Sequence, residues 1–185
     1  MEHSSEKQFA HAAVPDSGAS DQTRTIVLTA LLAAMACVAT MIIKIPSPTN
    51  GYMNLGDTVV LLAAYLLGPV YGAIAGGVGS ALADFLSGYM VYVPATLIIK
   101  ALMGVAAGVL YRRNRKAAVA WAVLAEAIMV AGYWLFDGFL SGSLAASAAG
   151  LPSNLVQAAF GIVLSTLLLL ALRHNAQVRR QFPNL

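Results

Sequence analysis

The amino-acid sequence predicts an all-α integral membrane protein with six transmembrane helices, and three observations carry that prediction. Of 185 residues, 59% are hydrophobic and only 10% are charged, against about a quarter charged in a soluble domain. The apolar residues fall in blocks, most of them near the ~20 residues that cross a ~30 Å hydrocarbon layer. The basic residues are not scattered: eight of the eleven Lys and Arg sit at Arg24, within 112–116, or within 173–180. Those positions are the ends of apolar blocks, where a membrane protein keeps its cytoplasmic positive charge.

Each element follows in order. Residues 1–23 are polar with mixed charge and few large apolar side chains, the composition of a disordered tail. His3 and His11 lie there with no partner at metal-ligand spacing. The run 25–43 is too long for a signal-peptide core and reads as the first spanning helix. Residues 44–56 (KIPSPTNGYMNLG) form a loop, with two prolines and Asn50-Gly51 as breakers. A short second helix covers 58–67 and stops at Gly68-Pro69; the third covers 70–86. After a loop at 87–93, Pro94 suits the first turn of a fourth helix running to Tyr111. The basic loop RRNRK leads to a fifth helix over 117–136. Residues 137–150 are rich in Gly, Ser and Ala and read as a loop, and 151–172 is the sixth helix. His174 falls in a basic tail, so the expected domain is 24–174 with a tail at 175–185.

Six crossings put both termini on one side, and the positive-inside rule makes that side cytoplasmic. Lys44 is the one basic loop residue on the opposite side. The loops 44–56, 87–93 and 137–150 then face outward.

Several function classes are excluded. The formal charge of +3 belongs to helix ends and is no nucleic-acid footprint. Cys37 is the single cysteine, which rules out a disulfide framework and suits a buried, inert thiol. No G-x-x-x-x-G-K-[ST], H-E-x-x-H, cysteine cluster or Ser/His/Asp set is present, so the chain carries no catalytic machinery, metal site or cofactor. Asn54-Leu55-Gly56-Asp57 lacks the first glycine of the G-x-G-D of intramembrane aspartyl proteases, and no second catalytic aspartate lies at a matching depth.

What remains points to binding. Asp57, Asp84, Lys100 and Glu126, with Asp137 at a helix end, are costly in lipid and must face the bundle interior or a wet cavity. Lys100 lies about six residues, roughly 9 Å, below the outer end of its helix. It serves either a structural Asp–Lys pair or a ligand pocket. Asp57 in Gly56-Asp57-Thr58 fits an N-cap of the second helix. Tyr89 and Tyr92 suit an interfacial belt or a pocket lid. Tyr133 and Trp134 lie at the same level, as do Asn154 and Gln157, three apart on one helix face. Together these groups suit a small, flat, polar-edged molecule. Small residues four apart allow close helix packing. Gly72 and Gly76, with the row Ala75, Gly79 and Ala83, read as packing within the chain. Ala30 and Ala34 fit either internal packing or docking of a partner subunit.

The run Asn54-x-Gly56-Asp57, then LLGPVYGAIAGGVGSALAD, then Pro94-Ala95-Thr96-x-x-x-Lys100, together with MVAGYW and LPSNLVQAAFG, resembles the S component of an energy-coupling factor (ECF) vitamin transporter. The resemblance extends over 25–172. It implies a substrate-binding subunit of the bacterial plasma membrane, partnered by a transmembrane coupling subunit and two cytoplasmic ATPases. Ala30 and Ala34 match the stripe that contacts the coupling subunit, and the 44–56 loop matches the one that closes over the ligand. Lys100, Tyr133, Asn154 and Gln157 match the pocket-lining region; Asn54, Asp84 and Tyr89 complete the expected substrate-binding set. The chain most resembles members that take up hydroxymethylpyrimidine, the thiamine precursor, or pyridoxine. The alternative is a stand-alone carrier with Asp84, Lys100 or Glu126 relaying a proton; an inverted repeat would favour it, and none is visible.

Overall fold

A computed structural model describes residues 17–49, 51–182 and 185. The architecture is helical: α1 (Ser17–Ile42), α2 (Gly56–Leu67), α3 (Pro69–Leu86), α4 (Val93–Arg113), α5 (Ala118–Ser141), the short α6 (Leu144–Ser147), α7 (Leu151–His174) and α8 (Ala176–Gln181). Between α1 and α2 a two-stranded antiparallel hairpin pairs β1 (Ile45–Pro46) with β2 (Tyr52–Met53). Among the described residues, five segments are long and apolar enough to cross a membrane: Asp21–Ile42, Pro69–Leu86, Val93–Arg113, Arg115–Ser141 and Leu144–His174.

α2 stands apart from these. Its 12 residues span about 18 Å, and every one of them is buried. A helix that is apolar all round belongs in the middle of a bundle. α2 is therefore enclosed by its neighbours, and the polar residues at its start are enclosed with it.

α3 is the hub, because its small residues face three different partners. A Cβ added at Gly76 would meet Val60 of α2 at 2.6 Å, one at Gly77 would meet the Leu97 carbonyl of α4 at 2.9 Å, and one at Gly79 would meet Ala36 of α1 at 2.9 Å. The contact with α4 is backbone to backbone: a Cβ at Gly104 would lie 2.8 Å from both Cα and N of Ala73. Since no side chain there can swing aside, Gly104→Val is expected to cost about 3 kcal/mol, read as a lower unfolding midpoint in detergent. At the tight α2–α3 corner Gly68 has φ +85°, where a side chain would be strained. The internal packing expected of α3 is thus observed.

Two boundaries lie more than two residues from the expected ones, and two short helices form where a loop and a tail were expected. α1 begins at Ser17 and not near Thr25. No proline intervenes, and Thr25 Oγ1 donates to the Asp21 carbonyl at 2.9 Å. Residues 17–23 of the expected disordered tail are accordingly helical, while 1–16, with His3 and His11, lie outside the described residues. α5 runs on past Asp137 to Ser141 and ends on Gly142 in the left-handed conformation (φ 69°), because the lone Gly138 weakens a helix without ending it. The expected 137–150 loop also contains α6. Finally, α8 (Ala176–Gln181) forms within the expected 175–185 tail, capped by Asn175 Oδ1 accepting from Gln177 N at 2.9 Å. Arg24 Nη2 donates to the Gln181 carbonyl at 2.6 Å, tying α8 to α1 at the basic end of the bundle.

Candidate substrate-binding site

The site lies at the end of the bundle opposite the basic residues, where the β hairpin, the start of α2 and the turn before α4 meet. It has two layers.

The lower layer is a buried ion pair. Lys100 Nζ donates to Asp57 Oδ1, and the two side chains are 3% and 1% exposed. Gln157 Nε2 donates to Asp57 Oδ2 at 2.6 Å, and Gln157 Oε1 accepts from Asn54 N at 2.8 Å. One amide from α7 therefore joins the ion pair to the loop that follows the hairpin. The expected N-cap role of Asp57 is not what forms. Leu55 holds the cap position with no side-chain cap, and Asn54 Oδ1 accepts from Gly56 N at 2.9 Å instead. Two residues into the helix, Asp57 points inward to the cation; the pull of a buried ammonium outweighs a cap bond that Asn54 can replace.

Glu126 of α5 lies against this layer. It is 1% exposed, and neither carboxyl oxygen has a hydrogen-bond partner among the described residues. A Cβ added to Gly161 of α7 would collide with its Oε1 and come within 3.1 Å of Asp57 Cβ, so Gly161 leaves the room that Glu126 occupies. Glu126→Gln has the same shape and removes no ion pair. It is expected to change stability by less than about 1 kcal/mol, measured as the shift in thermal unfolding midpoint.

The upper layer surrounds a cavity of about 30 Å³, above the ~10–15 Å³ that a single ordered water needs. Of the residues expected from the sequence, Asn54, Asp84, Tyr133, Asn154 and Gln157 line it. Lys100 and Tyr89 do not. Lys100 sits beneath, with Nζ 5.4 Å from the centre of the Tyr133 ring. Tyr89 supports from outside, its ring 4.6 Å from that of Tyr52.

Seven residues not expected in the binding set complete the wall: Ser47, Thr49 and Gly51 of the hairpin loop, and Tyr52, Tyr92, Thr96 and Asp137. Tyr52 OH donates to Asp84 Oδ1 at 2.6 Å. Tyr92 OH lies 2.8 Å from both Asp137 Oδ1 and the Thr49 carbonyl, and Thr96 Oγ1 is 2.9 Å from Tyr133 OH. Burial first, then the neighbouring carboxylate, pushes the Tyr52 and Tyr92 phenols above their ordinary values, so both remain hydrogen-bond donors. The signal for Tyr92 and Asp137 was their common level near helix ends; Thr96 stood only in the run Pro94-Ala95-Thr96. Nothing in the sequence pointed to Tyr52, because its role depends on the hairpin bringing it over Asp84.

The wall carries two carboxylates and, among the described residues, no Lys, Arg or His side chain. The nearby ammonium of Lys100 is committed to Asp57. The chamber is therefore electronegative and rich in acceptors. A larger recess of about 400 Å³ adjoins it, and Thr49, Tyr92 and Asp137 border both. No group of three or more potential metal ligands occurs among the described residues.

Comparison with known proteins agrees with this architecture. Residues 20–174 match the sequence model of the family described as ECF-type riboflavin transporter, S component. An uncharacterised protein of Pyrococcus woesei is 39% identical over 130 residues, 69% of this chain and 86% of its own length. The thiamine precursor transporter HmpT of Lactococcus lactis subsp. cremoris is 31% identical over 126 residues, covering 67% and 71% of the two chains. Among solved structures, the S component of a bacterial ECF transporter superposes with TM-score 0.63 at 25% identity, over 83% of this chain and 95% of that one. The S component for biotin from an ECF-type ABC transporter does so with TM-score 0.58 at 22% identity, over 88% and 92%.

Proposed function

This chain belongs to the family of ECF-type riboflavin transporter S components, and on that premise we propose that it captures a single aromatic ring edged with hydrogen-bond donors, hydroxymethylpyrimidine or pyridoxine being favoured. S components are the substrate-binding subunits of vitamin transporters and not enzymes, and the chain is a multi-pass plasma-membrane protein. The observation that carries the choice of ligand is the chamber wall: Asp84 and Asp137 present acceptors, with no basic side chain to hold an anionic vitamin. The likeness to a thiamine precursor transporter points the same way.

In this reading α2, extended by the loop before it, makes the sixth crossing, and both termini are cytoplasmic. The basic ends Arg24, 112–116 and 173–180 support that orientation. The hairpin loop lifts to admit substrate, since a chamber of about 30 Å³ holds no vitamin until its wall moves. Tyr133 offers a ring to stack on the substrate, while Asn54, Asn154 and Gln157 supply amide and backbone contacts. Lys100 and Tyr89 fix the wall from behind. Inward delivery follows from assembly with a transmembrane coupling subunit and two ATPases. Ala30 and Ala34, both exposed on α1, form the docking stripe. Ala30→Trp with Ala34→Trp is expected to leave ligand binding intact and abolish co-purification of the coupling subunit.

The deciding experiment is thermal stabilisation of the detergent-purified chain with hydroxymethylpyrimidine, pyridoxine, riboflavin and pantothenate. A ligand at about 100 times its Kd stabilises the folded state by about 2.7 kcal/mol. A shift with either of the first two is expected. A shift with riboflavin or pantothenate alone would replace the ligand and keep the family; flat curves with a folded sample would favour a carrier that binds something else.

A further inference from the structure

At the basic end of the bundle, far from the substrate chamber, a recess of about 270 Å³ opens between the α4–α5 turn and the α7–α8 corner. We infer that it binds the phosphate of an anionic phospholipid. Its lining holds Arg115, Lys116, Arg173 and Arg179, with Leu185 and no Asp or Glu side chain. Among the described residues none of the four cations pairs with a carboxylate side chain; the anion at hand is the α-carboxylate of Leu185, which meets Arg115. Four cations against one carboxylate leave the hollow strongly positive, and a second anion relieves the repulsion that remains.

The recess is built, not a chance gathering of mobile side chains. Arg173 Nη2 donates to Tyr111 OH and to the Arg115 carbonyl, each at 2.9 Å, and its guanidinium carbon stands 5.7 Å from the centre of the Tyr111 ring. Tyr111 is fully buried and stacks on Tyr65 with ring centres 4.5 Å apart. One guanidinium is thus oriented before any ligand arrives, and planar guanidinium forks match phosphate oxygens. Arg115 Nη1 reaches the α-carboxylate of Leu185 at 3.2 Å, a long bond that leaves its other N–H groups available. Lys116 and Arg179 have no described side-chain bond.

Position selects a lipid over a soluble phosphate. The recess lies at the ends of membrane-spanning segments, at headgroup level. The flanking stretches of α5 and α7 expose Val119, Val123, Leu167, Leu168 and Leu170. Trp121, anchored by Nε1 donating to the Asn114 carbonyl at 2.9 Å, occupies the level where interfacial indoles gather. An anionic phospholipid satisfies both halves, its phosphate in the recess and its acyl chains along the exposed aliphatic face.

Native mass spectrometry of the full chain in detergent, titrated with phosphatidylglycerol or phosphatidylcholine, tests the inference. Phosphatidylglycerol is expected to bind at least tenfold more tightly. Lys116→Gln combined with Arg179→Gln should weaken it about 25-fold, each cation contributing about fivefold. The unfolding midpoint in lipid-free detergent should not move, because neither side chain makes a bond that folding needs. Equal binding of the two lipids, or undiminished phosphatidylglycerol binding by the double variant, would overturn the inference. So would displacement of the lipid by millimolar inorganic phosphate, which would make the site one for soluble phosphate. Loss of assembly with protein partners while lipid binding persists would reassign the recess to an acidic protein surface.

Discussion

Lys100→Ala is expected to destabilise the ligand-free protein by about 3–5 kcal/mol, enough to unfold a large fraction of it in mild detergent. The substitution removes the cation and leaves Asp57, 0% exposed, ionised among apolar residues with only Gln157 to answer it. Breaking one side of a buried pair costs that much, because the remaining charge has no solvent and no counterion. Replacing both members is a different matter. Lys100→Met with Asp57→Asn removes both charges, keeps the stem volume, and leaves an amide oxygen for Gln157 to bond. The double variant should recover to within about 1–2 kcal/mol of the parent. Thermal unfolding of the three proteins in one detergent reads the difference directly. A single variant as stable as the parent would mean that the pair is solvated and that Lys100 is free to hold substrate after all. The outcome therefore separates the two roles that the sequence left open for this lysine.

The reason the sequence left them open is geometric. Apolar block lengths, the Gly68-Pro69 stop, Pro94 and the small residues of α3 each act locally, and the structure places α2, α3, α4 and α7 within a few residues of the expected bounds. Charge partners are not local: Asp57, Lys100 and Gln157 come from three helices, and no spacing rule orders them. Asp57 shows the limit plainly. Gly-Asp-Thr before an apolar run fits a cap, yet a shift of two positions into the helix turns the side chain about 200° and directs it at the lysine. Tyr52 was hidden for a related reason. It reaches Asp84 only because the hairpin folds back across the end of the bundle, and a two-residue strand leaves almost no periodic trace. The continuation of α5 through Asp137 matters equally, since it turns a supposed loop residue into a fixed carboxylate at the chamber wall.

That wall sets the second large effect. Asp84→Asn is expected to weaken binding of a donor-edged ring about 100-fold, or about 3 kcal/mol, while leaving the protein folded. Asp84 is 4% exposed, and its Oδ1 already accepts from Tyr52 OH. An asparagine retains an oxygen for that phenol, so the hairpin stays in place. What is lost is the charge and the second acceptor, which a ring N–H or amino group would otherwise use. In a site closed to water, an unanswered donor on the substrate costs the full desolvation of that group. The same change should ease binding of a vitamin bearing a carboxylate, because the repulsion from Asp84 disappears. Selectivity, measured as the ratio of the two affinities by isothermal calorimetry, then moves in a known direction even if both values shift with detergent. Tyr52→Phe serves as the control for position: it frees Asp84 from its phenol without removing the charge and should lower affinity by no more than about tenfold. If Asp84→Asn binds the donor-edged ring as tightly as the parent, the carboxylate is a tether for the hairpin alone, and the choice of ligand must come from elsewhere in the wall.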